Sequence, residues 1–208
     1  MDIALLSTAY LAPIQYYSKL IKYSEILIEI QENYPKQTYR NRCNIFGANG
    51  LLALSIPIKK IETKTKTKDI KIEYVTNWQK LHWKSIESAY RSSPYFEYYA
   101  DDFLPYYTKK TEFLIDYNAA LQNMIIDLIG FKAQINSIDE YILFSDSRYD
   151  DFREKINPKK KIIDPDYKTI EYIQVFSNKI LFIPNLSIID LLFNNGTDTL
   201  SLLKSTIC

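Results

Sequence analysis

Apolar positions in this chain follow several rhythms. Ile3-Ala4-Leu5-Leu6 is a short continuous apolar run, the mark of a buried strand. Ala12-Pro13 punctuates it, and Tyr16, Tyr17, Leu20 and Ile21 then fall at helical spacing across 14–23. Ile26-Leu27-Ile28-Glu29-Ile30 returns to a β-branched strand. Strand, helix and strand in so short a stretch predict a βαβ unit whose two strands are parallel. Residues 31–50 are polar and end in Gly47-Ala48-Asn49-Gly50, which predicts a loop. If Tyr39-Arg40-Asn41-Arg42 is extended inside it, Arg40 and Arg42 share one face. Residues 51–58 read as a strand closed by Pro57. Ile70, Ile72 and Tyr74 alternate with Lys71 and Glu73, which predicts a half-buried strand over 69–75 hairpinned to 51–58.

The period then becomes helical. Trp78, His82, Ser85, Ile86 and Ala89 share one face. Thr76 and Gln79 have capping-box spacing, and Asn77 is the other candidate cap. Pro94 disfavours helix just before it, so this helix should stop near Ser92, with Pro94 opening the next short helix under a Ser93 cap. Leu114, Tyr117, Leu121, Met124, Ile125 and Leu128 stripe a helix over 112–129 that Gly130 should end. Residues 136–168 carry no clear period, and 146–151 and 158–161 look like loop. Residues 172–183 alternate as a strand or hairpin, 187–195 form a short helix stopped by Gly196, and 197–207 a last helix. The expected fold class is α/β. It is a single domain over 1–208, with a mixed sheet, packed helices and an N-terminal βαβ-like unit.

Composition narrows the functions. Lys plus Arg is 26 and Asp plus Glu 25, a net charge of +1, so no global field draws the chain to nucleic acid. Gly is only 4, and neither G-x-G-x-x-G nor G-x-x-x-x-G-K-[ST] occurs. His82 is the one histidine, and Cys43 and Cys208 fit no zinc spacing, so no metal or cofactor is expected. No run approaches the roughly 20 apolar residues that span a bilayer, and an acid stands at position 2 where a signal peptide has a base. The expected location is the cytoplasm. The 18 tyrosines serve either as stacking surfaces or as amphipathic filler.

The candidate chemistry is local, and each candidate has a purely structural alternative. Arg40 and Arg42 could clamp a phosphate or carboxylate, or lie solvated on a loop edge. Lys59, Lys60, Lys64, Lys66 and Lys68 could attract a diphosphate, or keep a hairpin edge soluble. Trp78 and His82 are an i, i+4 pair, suited either to a stacking wall beside a general base or to packing on the sheet. Asp190 could orient a base or a ligand amine, or close back on its own helix N-terminus. Arg42 beside Cys43 could lower the thiol pKa, with His82 as its base.

Several blocks in one order resemble the WbqC-like family of bacterial polysaccharide-biosynthesis proteins. They are Tyr10-x-x-Pro13 after the first strand, Tyr39-x-Asn41-Arg42, Pro57 with Lys59-Lys60, Trp78-x-Lys80-x-His82, and Ser93-Pro94-Tyr95-Phe96. Leu186-Ser187-Ile188-Ile189-Asp190-Leu191-Leu192-Phe193-Asn194-x-Gly196 is the most specific. The resemblance implies a role in O-antigen or other surface-polysaccharide synthesis, by acyl or aminoacyl transfer onto a nucleotide- or lipid-linked amino sugar. The substrate is then a nucleotide sugar or another small anion. The implied site takes His82 and Asp190 as catalytic, and Tyr10, Arg40, Asn41, Arg42 and Trp78 as substrate-binding. Thr8 and Ala9 stand where the family has Gln-Pro, the acid-and-Gln cluster is thinned to Glu29, Gln31 and Asn33, and 136–170 is short. Those departures favour the alternative of a non-catalytic binding or scaffold protein, acting with a pathway partner or as a homo-oligomer.

Overall fold

A computed structural model describes residues 2–144, 146–160 and 162–208. Met1, Ser145 and Lys161, the last part of the expected 158–161 loop, lie outside the described residues. The expected βαβ unit is present: β1 (Ile3–Ser7), α1 (Ile14–Lys22) and β2 (Glu25–Glu29). The strands are parallel and in register from Ile3–Glu25 to Ser7–Glu29. Tyr16, Tyr17 and Leu20 bury one face of α1, and Lys19 and Lys22 lie in its last turn, where they complement the helix dipole.

The polar segment after β2 is loop only as far as Asn41. Residues Arg42–Gly47 form β3, joined by the two-residue turn Ala48-Asn49 to β4 (Gly50–Ser55). Cys43 and Ile45 are buried and alternate with Arg42 and Asn44, a period of two that the polar composition masked. Gly50, at φ +104, supplies the backbone that this tight hairpin requires. The expected strand over 69–75 is reduced to isolated bridges, Ile58 with Ile72 and Lys71 with Phe113. Ile70 and Ile72 are buried as their alternation implied, but they meet no continuous ladder.

Three helices follow: α2 (Trp78–Tyr90), α3 (Phe96–Thr108) and α4 (Leu114–Ile129). No capping box forms on α2. The Gln79 side chain instead donates to the carbonyls of Tyr106 and Lys109, pinning α2 to the end of α3. α3 starts two residues beyond Pro94, and the Ser93 hydroxyl turns back to the Tyr90 carbonyl rather than capping it. Gly130 ends α4 in the left-handed region, φ +82.

Two very short strands, β5 (Ile135–Ser137) and β6 (Asp150–Asp151), emerge from the segment without a period. The sheet order is β5-β2-β1-β6, all parallel, while β3 and β4 form a separate antiparallel pair. In chain order these parallel strands run third, second, first, fourth. The strand order therefore reverses between β1 and β6. Residues 172–183 form no strand. The Gln174 amide exchanges two hydrogen bonds with the Ile183 backbone and closes the loop as a strand pair would.

The last elements are α5 (Ile188–Asn195) and α6 (Thr199–Ser205). Ile188, Ile189, Leu191, Leu192 and Phe193 are all buried, so α5 is a core helix, apolar nearly all round. Backbone hydrogen bonds Ile14 N to Leu186 O, Ile188 N to Ala12 O and Ser187 N to Asn44 O lock it to both the βαβ unit and β3. The observed class is thus α/β.

Candidate functional site

The sequence candidates do not gather at one site. Tyr10, just past β1, places its hydroxyl 3.0 Å from His82 Nδ1 and 2.9 Å from the Tyr107 hydroxyl. Trp78 stands edge-on to the His82 ring, with centroids 5.0 Å apart, and also touches Tyr74 and Tyr117. Burial pushes His82 down to about 4, against a hydrogen bond from the ring to the Ser55 backbone. At neutral pH the imidazole is therefore uncharged, and it is 6% exposed.

Asp190 belongs to a second network. Its carboxylate accepts from Tyr90 (2.9 Å), Tyr172 (2.6 Å) and Gln174 Nε2 (3.1 Å). It does not close on its own helix terminus. Burial holds its carboxyl up at about 6, against these three hydrogen bonds. His82 and Tyr90 are eight residues apart on α2, about 12 Å along its axis. The structure therefore does not bring His82 and Asp190 to one reacting atom.

The arginines do not form a clamp. Arg40 lies in the turn before β3, buried, and its guanidinium is bidentate to Glu32 (2.6 and 2.8 Å) with further bonds to Ser7 Oγ (2.5 Å) and Thr38 Oγ1 (3.2 Å). Arg42 is half-buried on β3 and donates to Ser55 Oγ at 3.0 Å. Asn41 Nδ2 holds the Ile56 carbonyl at 2.8 Å. Cys43 points to the opposite face of β3 from Arg42, and burial pushes its thiol well above the usual range, which removes the thiolate reading. Cys208 is exposed.

A charge network escaped the sequence reading. Arg153 is fully buried and binds Glu29 (3.1 Å), Asp151 (2.6 Å) and the Ile142 carbonyl (2.8 Å), with the Phe144 ring centroid 4.2 Å away. Arg40 and Arg153 line the small hollow between β1 and β6, where the strand order reverses. The acids around them exceed them in number, so this hollow is no anion trap.

The open concavity lies beside it, at the carboxyl ends of β1, β2 and β5. Ligands of open parallel sheets bind at such ends. It has a volume of about 260 Å³. Ile28, Ile30, Ile115 and Ile135 give it an apolar floor, and Thr8, Asp116, Gln122, Asn123 and Ser137 give it polar walls. Tyr16 donates to Gln122 Oε1 at 3.3 Å, which leaves Gln122 Nε2 uncommitted among the described residues. Asn118 Nδ2 donates both to Thr8 Oγ1 (3.0 Å) and to the Arg40 carbonyl (2.8 Å), fixing the rim. Thr8 was noted in the sequence only as a departure from the family pattern. The available signal was Asn118 and Gln122, a polar pair four residues apart on the buried side of α4. Among the described residues, no three His, Cys, Asp or Glu side chains gather to hold a metal, and no helix is long and apolar enough to cross a membrane.

The WbqC-like protein family matches residues 8–156 and 160–202, both sides of the cleft included. This chain belongs to that family. The family match takes in every block from Tyr10 to Gly196. The chain is also similar to "Uncharacterized protein Rv1507c" of Mycobacterium tuberculosis (strain ATCC 25618 / H37Rv), 26% identical over 224 residues and covering 94% of each chain. No solved structure matches. For this WbqC-like chain, Thr8 occupies the cleft rim at the position where the family resemblance leads one to expect Gln.

Proposed function

We propose that this chain acts on a nucleotide- or lipid-linked amino sugar in surface-polysaccharide synthesis. The sugar lies in the cleft, and its amine is the acceptor for acyl or aminoacyl transfer. The observation that carries this reading is the cleft's set of groups: the exposed Asp116 carboxylate, the uncommitted Gln122 Nε2 and the isoleucine floor. A carboxylate suits an ammonium, an amide donor suits a hydroxyl, and an apolar floor suits the face of a sugar ring. In the transfer step the amine nitrogen attacks the carbonyl carbon of an activated ester or thioester donor. Asp116 first takes one proton from the ammonium, which frees the nitrogen's lone pair, and the nitrogen's second proton goes to the donor's oxygen or sulfur as that leaves with the electron pair. His82 acts through Tyr10, which anchors the residues that carry Thr8, and Asp190 acts by holding α5 against Tyr90. Both are positioning residues here. A cytoplasmic location goes with this reading.

The burial of His82 and Asp190 favours a second reading, a non-catalytic binding or scaffold protein of the same pathway. One experiment tests both. Calorimetric titration compares a uridine-diphosphate sugar bearing a free amine with its N-acetylated counterpart, on wild type and Asp116→Asn. Wild type is expected to prefer the free amine by about tenfold, from one charge-assisted hydrogen bond. Asp116→Asn should lose the preference. Equal binding of the two sugars by wild type, or none, sinks the cleft assignment. Mass spectrometry of the same mixtures with acyl donors then separates the readings: a sugar that gains acyl mass is the product of an enzyme, and tight binding without gain marks a scaffold.

A further inference from the structure

Residues 43–56, nearly the whole of the β3–β4 hairpin, contain no charged residue and no proline, in a chain that is 25% charged. The two edges of this hairpin differ. On the β3 edge the Asn44 carbonyl accepts from Ser187 N, and the Phe46 N–H donates to the Tyr90 hydroxyl at 3.2 Å. That edge is therefore capped, by the residue that starts α5 and by a side chain of α2.

On the β4 edge the backbone is open. Ile56 N donates to the Asn41 carbonyl, and counting back through the register turns the backbone groups of Gly50, Leu52 and Leu54 towards β3. Those of Leu51, Ala53 and Ser55 then turn outwards. The Ser55 carbonyl takes the His82 ring. The N–H and C=O of Leu51 and Ala53 take no main-chain partner among the described residues. The side chains give no screen either: Leu51 is 58% exposed, Leu52 38%, and Ala53 is exposed as well. Open edges are ordinarily guarded by lysine, proline, a bulge or a covering loop. β4 has an unbroken register and neither lysine nor proline. A bare row of alternating donors and acceptors specifies another strand as its occupant.

We propose that this occupant is β4 of a second copy of the chain, paired antiparallel across a two-fold axis at Leu52. In that register Leu51 of each copy exchanges both backbone hydrogen bonds with Ala53 of the other, so four bonds satisfy every open group of these two residues. The side chains complement themselves. Leu52 meets Leu52 at the axis, and each Leu51 lies beside the small Ala53 of the other copy. No like charges are brought together, because the strand has none. Ser55 stays with α2. The result is a four-stranded sheet whose outer edges are the two capped β3 strands, so growth stops at two copies. β4 has six residues, well short of the roughly 20–30 a side of a standard interface, which makes this a weak, reversible dimer. No residue of the cleft takes part, so the pairing stands apart from the amino-sugar reading.

Sedimentation velocity of the full chain tests this. Wild type should pass from monomer to dimer as its concentration rises roughly a hundredfold into the hundreds of micromolar. Leu51→Lys/Ala53→Lys sets like charges opposite each other and should remain monomeric throughout. Leu51→Lys/Ala53→Glu sets the new lysine of each copy opposite the new glutamate of the other, and should dimerise again, more weakly as salt is raised. Tyr98→Lys, at an exposed aromatic on α3, should behave as wild type does. Dilute samples of all the variants should melt within a few degrees of wild type, since the side chains changed already face water. A wild type that is monomeric at every concentration overturns the proposal and leaves the edge to a strand of a different protein. A dimer that survives Leu51→Lys/Ala53→Lys overturns it, as does growth of wild type beyond two copies. Leu51→Lys/Ala53→Glu no more dimeric than Leu51→Lys/Ala53→Lys overturns the antiparallel register.

Discussion

The Tyr10 hydroxyl sits 3.0 Å from Nδ1 of His82, joining the turn after β1 to the second turn of α2 across 72 positions of sequence. The contact fixes a charge state. A ring with one nitrogen on Tyr10 and a hydrogen bond to the Ser55 backbone is satisfied as neutral imidazole. A proton added to Nδ1 would need the hydroxyl to turn round in a buried tyrosine cluster.

The first prediction is a titration. His82 is the one histidine, so its Cε1 proton is a single NMR resonance. Its midpoint should fall near 4, and a midpoint near 6.5 would show an open ring. The unfolded chain takes up this proton near 6.5 and the folded chain only near 4. Stability from His82 is therefore complete above pH 6.5 and lost as pH falls towards 4. Asp190 has the opposite sign. The folded chain keeps its proton up to about 6, so stability falls as pH rises from about 4 to 6. In wild type the two oppose each other in that window. In His82→Gln the Asp190 trend stands alone, and urea denaturation should lose on the order of 3 kcal/mol between pH 4 and 6. A flat or rising profile in that variant would contradict the burial of Asp190.

Arg153 yields a second prediction. Arg153→Leu leaves Glu29, itself fully buried, without its cation, and should cost about 3–5 kcal/mol in urea denaturation. Adding Glu29→Gln should recover a substantial part, because the stranded charge is gone. A double variant no more stable than Arg153→Leu would place the cost in the lost Asp151 and Ile142 contacts instead.

The third concerns Gly196. It sits at φ +53, and a Cβ there would lie 2.5 Å from the Tyr95 ring. Gly196→Ala should cost about 2–4 kcal/mol, from clash and backbone strain together. In a Tyr95→Ala background the same change should cost only the strain, about 1–2 kcal/mol, read as the difference between thermal melts. An undiminished cost there would remove the ring from the explanation.

The βαβ unit was legible because Ile3–Leu6 is a mostly buried run, Ile26–Ile30 is rich in β-branched residues, and the helical spacing of Tyr16, Tyr17 and Leu20 stands between them. β5 and β6 left no such mark. Ile135-Asn136-Ser137 and Asp150-Asp151 are strands only because β2 and β1 offer them open edges. The hairpin of β3 was hidden because Arg42 and Asn44 made the stretch look like loop, while Cys43 and Ile45 carried the buried face. Among the site residues, the Trp78–His82 contact followed from their i, i+4 spacing. The cleft did not follow. Its polar wall is Asp116, Gln122 and Asn123 on α4, which in sequence is indistinguishable from a wet helix face until β1, β2 and β5 stand opposite. Arg40 looked free for a ligand because Glu32, eight residues earlier, gave no sign of turning towards it.

The seating of α5 also has a consequence in time. The turn before α1 and the backbone of β3 complete their hydrogen bonds only with Leu186, Ser187 and Ile188. During synthesis the first fifty residues must therefore wait for nearly the whole chain before their apolar surface closes. Such long-range closure slows folding and exposes hydrophobic surface in the meantime. A ribosome stalled before residue 186 would hold a nascent chain with its β3 face and α1 turn still open, a natural client for a chaperone.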